Sequence, residues 1–597
     1  MSGNIKHKII SVLVAVVLII VIVIAAFGSR IKESLANGEE ISLRWVLGLI
    51  YPEKYAYSTE QANLNDYFQL FSEDDTALIV NDEIYADNGL YINGEVYFKL
   101  STAEALFTDR FYYNDTEQVL LYSTATDIYR VDLSSGAASY NYGGTDVPLE
   151  YVPATVRNGE LYIAADYVRL FDNFSFTYYP DPHRMVIYTE NAVYNEAEIK
   201  KNTSVRYQGG IKSDVLCKVS AGDKVQVMEV LENWTKVKTA DGFFGYVENN
   251  KLGEQYEATR DTGTGAYDPY LDYTPNHLDG NVIMVWHQMY FTDDGSSYDS
   301  SLNNMLSSGS GANVVSPTWY YLNNATGGYA DYSSAAYVEN AHNQGYQVWP
   351  MVADVENGGS FDFDEFELFS SSANRKTLTD NLINSVVSTG ADGINVDIEH
   401  IGNQSGPHFV QFLRELAIET RKNGLVLSVD NYPMNQGNLY YDLREQGIIA
   451  DYVVMMNYDE HWAGSDPGSV ASIGFTEQTL IDSINMGVPA SKLISAEPFF
   501  TRIWKTEGSQ VTSSAVGMDY TQDWMNTRGI TPEWNDECAQ YYVKYVDGTA
   551  TYEIWVEDKE SMTAKFNVMK NYGIAGVAGW KLGLESDDIW ELIRGNF

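Results

Sequence analysis

Cysteine is almost missing from this chain of 597 residues: only Cys217 and Cys538 occur, in segments that read as different domains. Neither has metal-ligand spacing, and a disulfide between them is not expected, so stability must come from packing. Basic residues are scarce too, with 38 Lys and Arg against 82 Asp and Glu. The resulting net charge of −44 argues against nucleic acid and anionic lipid as partners and says nothing about the fold. The plain reading of that charge is solubility of an exported protein. Long apolar runs are lacking with one exception, which excludes a multispan membrane protein, although the 45% apolar content is ample for real cores.

The exception is Ile9 to Phe27, which carries no charge and is long enough to cross a bilayer. Lys6 and Lys8 precede it, which puts the N-terminus in the cytoplasm, with Arg30 and Lys32 on the far side as a weaker opposing signal. A signal peptide cut near Ala25-Ala26-Phe27-Gly28-Ser29 is the alternative, although its apolar core is normally ~7–15 residues, shorter than this run. Residues 1–30 are therefore expected to be a cytoplasmic N-terminus and a single transmembrane anchor. The remainder would lie outside the cell membrane, or be secreted if the segment is cleaved.

Length predicts three or four domains. Residues 31–75 read as a stalk. From 76 to 190, Tyr, Val, Ile and Phe alternate with turn residues, and the pattern repeats: Gly94-Glu-Val-Tyr97 returns as Gly159-Glu-Leu-Tyr162. Phe111, Tyr113 and Thr124 find Phe176, Tyr178 and Thr189 at the same offset. This two-repeat α+β segment is similar to the small N-terminal-type domain of copper amine oxidases. No copper site goes with it, because His183 is the region's only histidine. It is expected to be a spacer.

Residues 192–253 hold short strands at regular spacing, including Trp234-Thr-Lys-Val-Lys238 and Gly242-Phe-Phe-Gly-Tyr-Val247. They resemble bacterial SH3-like domains, small β-barrels that often bind the peptide stems of cell-wall polymers. Trp234 and Tyr246 can serve that purpose or simply fill the barrel core. A polar linker containing Thr259-Arg-Asp-Thr-Gly-Thr-Gly-Ala266 follows, within residues 254–279.

From 280 to 597 apolar strands alternate with amphipathic helices. Eight strands can be read: Val282–Trp286, Val314–Pro317, Gln347–Ala353, Gly393–Ile398, Leu425–Val429, Tyr452–Asn457, Leu493–Ala496 and Gly576–Trp580. The expected fold is a (β/α)8 TIM barrel, with a β-rich subdomain inserted at about 502–556 and its active site at the C-terminal strand ends.

The fourth strand is the informative one. In Asp392-Gly-Ile-Asn-Val-Asp-Ile-Glu399, strand alternation turns Asn395, Asp397 and Glu399 to one side and Ile394, Val396 and Ile398 to the other. Acids at the end of a buried strand need a task or a partner. Asp392 reads as the turn before the strand.

The run resembles the DG-x-D-x-D-x-E motif of family 18 glycoside hydrolases, the chitinase-like enzymes, with Asn395 in place of the first alternating Asp. Further matches are Ser316-Pro-Thr-Trp-Tyr320, Met456-Asn-Tyr-Asp459, Pro498-Phe-Phe-Thr-Arg502 and Gly573-Ile-Ala-Gly-Val-Ala-Gly-Trp580. The Asn395 variant and its context look most like the spore-cortex and cell-wall N-acetylglucosaminidase branch. Glu497 departs from the small or apolar residue expected there.

The resemblance implies substrate-assisted retaining hydrolysis, in which the sugar's 2-acetamido oxygen attacks and Glu399 protonates the leaving oxygen. Asp397 would raise the Glu399 pKa by like-charge repulsion and hold the acetamido N–H. Tyr458 would donate to the acetamido oxygen. Asn395, Asp459, Trp580, Met456, Trp319 and Arg502 are the implied substrate-binding positions. Asn395 can hydrogen-bond Asp397 but cannot take its proton, so a changed pH profile is expected rather than a dead enzyme. His400 has no evident role, and His461 and Trp462 read as groove wall or loop packing.

Peptidoglycan is the expected substrate, with cleavage of β-1,4 links at N-acetylglucosamine. Chitin or the chitobiose core of glycans is the alternative enzymatic reading, and a sugar-binding protein without turnover the non-enzymatic one. No metal or organic cofactor is implied.

Overall fold

The computed structural model describes residues 2–36, 41, 43–262, 273–289, 311–356, 359–360 and 363–597. The chain divides into two compact units. One takes in Met1–Phe111, Val131–Tyr140 and Asp146–Tyr267, the other Tyr112–Arg130, Asn141–Thr145 and Asp268–Phe597.

In the first unit, Ser2–Ala36 is helical. Among the described residues no single helix is long and apolar enough to cross a membrane. Leu13–Ile22 and Ile24–Lys32, bent by 57°, meet the length and composition only as a pair.

Both copies of the repeat turn on the same chemistry. Asn93-Gly94 and Asn158-Gly159 all have positive φ, the geometry of the tight hairpin turn that favours this dipeptide. These turns join Gly89–Ile92 to Glu95–Lys99 and Ala154–Arg157 to Glu160–Ala164, and the two hairpins pair within one mixed sheet. The expected 76–190 domain is not one body, however. Residues 112–130 and 141–145 cluster with the C-terminal unit instead.

Next, seven strands between Ala192 and Arg260 form one antiparallel sheet around Val205, Val219, Val225, Val237 and Val247. Its last strand, Tyr256–Arg260, pairs with Ala192–Glu198, so the start of the expected linker belongs to this sheet. Residues 263–272 of that linker lie outside the described residues. Trp234 and Tyr246 are half-buried outside the sheet's core, with Gly209 packed against both rings.

The second unit is a closed barrel of eight parallel strands. In chain order they are β1 (Val282–His287), β2 (Val314–Leu322), β3 (Met351–Ala353), β4 (Gly393–Asp397), β5 (Val426–Asn431), β6 (Tyr452–Met456), β7 (Leu493–Pro498) and β8 (Gly576–Trp580). Each pairs in parallel with the next, and β8 returns to β1.

Strand alternation separates two cores. Met284, Trp286, Trp349, Tyr452, Val454 and Ala578 fill the interior, while Val285, Val315, Ile394, Val396 and Val453 pack outward against the helices. Gly393 has no room for a side chain: a Cβ there would stand 2.7 Å from the Val426 carbonyl oxygen and 2.9 Å from the Trp349 ring. That close approach lets β4 lie flush against β5.

Between β7 and β8, Phe500–Val556 forms the expected insert, a five-stranded antiparallel sheet carrying the helix Met518–Arg528. A second addition was not anticipated. The segment Tyr112–Ala125 docks on the barrel's helices: Tyr112 hydroxyl meets His408 Nδ1 at 2.6 Å, Asn114 donates to the Ser370 carbonyl at 2.6 Å, and Arg421 reaches the Ala125 carbonyl at 3.0 Å.

Glu497 is resolved by the same alternation. Ile494 and Ala496 face the interior, so Glu497 faces outward, 1% exposed and 3.3 Å from Lys565, which also pairs with Glu557 at 2.8 Å. It belongs to a sealed ion cluster and not to a subsite. Removing the shared cation would strand two buried carboxylates, so Lys565→Met should cost about 3–5 kcal/mol in the barrel's chemical unfolding. Glu497→Gln, which keeps the hydrogen bonding, should cost less.

Candidate active site

The site is assembled where β3, β4, β5 and β6 end. β4 turns Asn395 and Asp397 into the barrel and carries Glu399 just past its last residue. Asp354, fully buried directly after β3, accepts the backbone N–H of Glu399 at 2.9 Å and of His400 at 2.8 Å. It fixes the path of the chain as it leaves the barrel, and His400 closes on it at 3.2 Å. That gives His400 a packing role. Asp392 behaves as a turn residue, accepting from Val348 N–H and His342 Nε2, each at 2.8 Å.

Asn395 is 0% exposed and has no free hydrogen-bonding capacity toward a ligand. Its carbonyl oxygen accepts from Trp286 Nε1 at 2.9 Å and Ser316 Oγ at 3.1 Å. Its amide donates to Ser428 Oγ at 3.0 Å and Asp430 Oδ1 at 2.8 Å. Because the indole N–H can only donate, the orientation of the amide is determined. This corrects two expectations: Asn395 is not at the substrate surface, and its charged partner is Asp430 of β5 rather than Asp397.

Asp397 is 6% exposed, and one of its oxygens, Oδ1, is buried without a hydrogen-bond partner among the described residues. Burial raises its pKa well above the usual carboxylate range, and Glu399, Asp430 and Asp354 raise it further. Glu399 is half-buried and accepts a hydrogen bond from the Tyr432 hydroxyl, which is itself on an exposed side chain. Its pKa is raised mainly by burial and by Asp354, against the lowering pull of the Tyr432 bond. The expected repulsion between Asp397 and Glu399 is present, but it falls on Asp397, the more buried of the two and hence the first to hold a proton.

From β6, Met456 is buried in the interior core below the site, and Tyr458, 8% exposed, packs edge-on against Phe500 at 6.2 Å. Burial, then Asp397, Asp430 and Glu399, hold the Tyr458 hydroxyl well above its usual range, so it remains a proton-bearing donor. Asp459 has φ of +58° and lies 3.5 Å from Arg502 of the inserted sheet, which also donates to Ser513 at 3.2 Å. Burial raises the Asp459 pKa while Arg502 opposes it. Trp580, at the end of β8, is half-buried with its ring 5.7 Å from Trp286, an apolar floor to the interior.

Trp319 does not belong to this group. It is 0% exposed in the outer core, edge-on to Tyr337 at 5.1 Å, and supports β2 from behind. The residues missed in the sequence are Asp354, Asp430 and Tyr432. The alternation of Ser428 and Asp430 continues the β5 pattern past Val429, where the apolar run ends, and was the available signal.

Residues 312–585 match the model of Glycosyl hydrolases family 18, and residues 201–252 match that of the bacterial SH3 domain. The chain carries a family 18 glycosyl hydrolase domain. Among curated relatives it is 28% identical over 287 residues to a cortical fragment-lytic enzyme of Bacillus anthracis, covering 44% of this chain and 64% of that one. It is 26% identical over 258 residues to the uncharacterized glycosylase YvbX of Bacillus subtilis (strain 168), covering 42% and 74%. The spore cortex-lytic enzyme SleL of Bacillus cereus aligns with a TM-score of 0.47 and 21% identity, over 58% of this chain and 77% of that one. The chain thus spans somewhat under two thirds of the length of the first of these relatives. Among the described residues no group of three or more His, Cys, Asp or Glu is arranged to hold a metal ion.

The Tyr432 bond supports the ionised form of Glu399, so its loss should raise the Glu399 pKa further. In Tyr432→Phe, carboxyl NMR should show Glu399 keeping its proton to higher pH than in the wild type. An unchanged or lowered titration would show that the bond does not govern this acid.

Proposed function

We propose that the family 18 domain hydrolyses β-1,4 linkages at N-acetylglucosamine in peptidoglycan, with retention and with the substrate's own acetamido group as nucleophile. The observation that carries this reading is the pairing of a half-buried acid, Glu399, just past the end of β4, with the buried Asp397, whose pKa is raised, two residues before it. A protein nucleophile would need to be an ionised carboxylate facing the sugar, whereas Asp397 is buried with a raised pKa and suits holding an acetamido N–H.

In this mechanism Glu399 gives its proton to the leaving glycosidic oxygen as the acetamido oxygen closes on the anomeric carbon. Tyr458 donates to that acetamido oxygen and fixes its direction of attack. Trp580 supports the pyranose face and the acetamido methyl. Water, deprotonated by the now anionic Glu399, then opens the cyclic intermediate and restores the acid. Asp459, oriented by Arg502, is placed for a sugar hydroxyl.

Peptidoglycan is favoured by the likeness to cortical fragment-lytic enzymes and by the SH3 domain, whose half-buried Trp234 and Tyr246 flank Gly209 as a surface for wall peptide stems. We further propose that the N-terminal apolar segment anchors the protein in the cell membrane with the N-terminus inside, and that the repeat segment, similar to the small N-terminal-type domain of copper amine oxidases, acts as a spacer.

Glu399→Gln should lower release of reducing ends from peptidoglycan by about 10²–10⁴-fold while leaving the unfolding transition in place. Release from chitin oligomers but not from peptidoglycan would move the substrate assignment to chitin-type sugars. Binding without release from either would replace the enzyme by a sugar-binding protein.

A further inference from the structure

Family 18 domains of the ordinary motif carry a second acid two residues before Asp397, and this chain has Asn395 there. The structure shows where the missing carboxyl has gone. Strands β4 and β5 pair in parallel with Asn395 opposite Ser428 and Val396 opposite Val429, so the next step places Asp397 opposite Asp430. Neighbouring strands lie about 4.8 Å apart, and both side chains point into the barrel. Asp430 is 3% exposed.

The hydrogen bonds decide what Asp430 can do. Trp286 fixes the Asn395 carbonyl, which turns the amide N–H toward Asp430 Oδ1 at 2.8 Å. That oxygen is therefore an acceptor. Among the described residues the other oxygen, Oδ2, is buried with no hydrogen-bond partner, as is Oδ1 of Asp397 across the strand pair. Two buried carboxyl oxygens without donors, on adjacent carboxyl groups, are costly unless a proton lies between or on them.

The ionisable groups facing the pair are Glu399 just past β4, Asp354 after β3, Tyr432 after β5, and Tyr458 after β6. Among the described residues none of them is basic. Burial raises the pKa of Asp430, as it does that of Asp397; Asn395 and the Trp286 N–H oppose the rise, and Glu399 adds to it.

We infer that Asp430 is the proton partner of Asp397: the two carboxyls hold one proton between them, and Asn395 is the positioning residue that keeps Asp430 Oδ1 as acceptor. The pair's charge stays at −1 as the proton passes from one carboxyl oxygen to the other. With the proton on Asp430, ionised Asp397 can accept the substrate's acetamido N–H. With the proton on Asp397, the empty site avoids facing Glu399 with a second charge. An Asp at 395 would add a third acid with no proton to share, so asparagine there and aspartate at 430 belong together. The catalytic role of this pair rests on the proposed hydrolase reading; the shared proton does not.

The test separates the two. A pair whose folded pKa lies above the ordinary carboxylate value gives stability that is present in acid and lost as pH rises through the folded value. The Tm of the full chain is measured between pH 5 and 9 for wild type, D397N, D430N and D397N/D430N. Either single substitution should remove most of the alkaline loss, and the double should add little. Parallel Tm curves, or single effects that simply add, overturn the shared proton even if the enzyme is fully active. In hydrolysis assays D430N should lose about tenfold or more in kcat with KM little changed, and its pH profile should shift. The swap N395D/D430N, which returns the acid to its usual place, should recover kcat above D430N. An unchanged kcat and pH profile in D430N would show that Asp430 takes no part in turnover.

Discussion

Three carboxyl groups, Asp397, Glu399 and Asp430, meet at the ends of two adjacent barrel strands, and among the described residues no basic side chain acts on the buried pair. Most of the site follows from that crowding. Buried acids without a cation cannot all ionise, so protons are retained at a pH where exposed carboxylates have lost theirs. Retained protons are what an acid catalyst needs, while burial, with the negative charge left on the acids, keeps Tyr458 in its neutral, donating form. By contrast, the acids outside the barrel are given a cation: Glu497 and Glu557 share Lys565.

The backbone makes this crowding sustainable. Asp354 ties the chain after β4 through two main-chain N–H groups, and Gly393 lets β4 lie close to β5. Trp286 of β1 and Ser316 of β2 hold Asn395 across the barrel interior, so Asp430 rests on a side chain that is itself fixed. Rigid support of this kind is what keeps reacting groups in register for proton transfer.

Much of this was legible in the sequence, because a period of two on β4 assigns faces without any knowledge of the partners. The barrel's strand count and order followed from the alternation of apolar runs with helical ones. What failed was inference across strands. Trp319 was placed at the sugar by motif alone, although it stands three positions after the inward-facing Ser316 and so points outward. The same alternation explains why Glu497 departs from the expected small or apolar residue: it faces outward. Asp430 lies beyond the apolar run that marks the strand in the sequence, while the hydrogen-bonded ladder continues to Asn431. Which acid faces which is set by inter-strand register, and a single chain's sequence does not display register. The docking of residues 112–125 on the barrel's helices was hidden likewise, since their pattern matched the upstream repeat.

The proposed chemistry stands on an amide of the substrate acting in place of a protein nucleophile. The direct measurement is the anomeric configuration of the first product, followed by proton NMR during cleavage of a peptidoglycan glycan fragment and before mutarotation. Initial appearance of the β-anomer is the result the account predicts. Initial appearance of the α-anomer would mean direct attack by water on the substrate, and the roles assigned to Asp397 and Tyr458 would have to be abandoned.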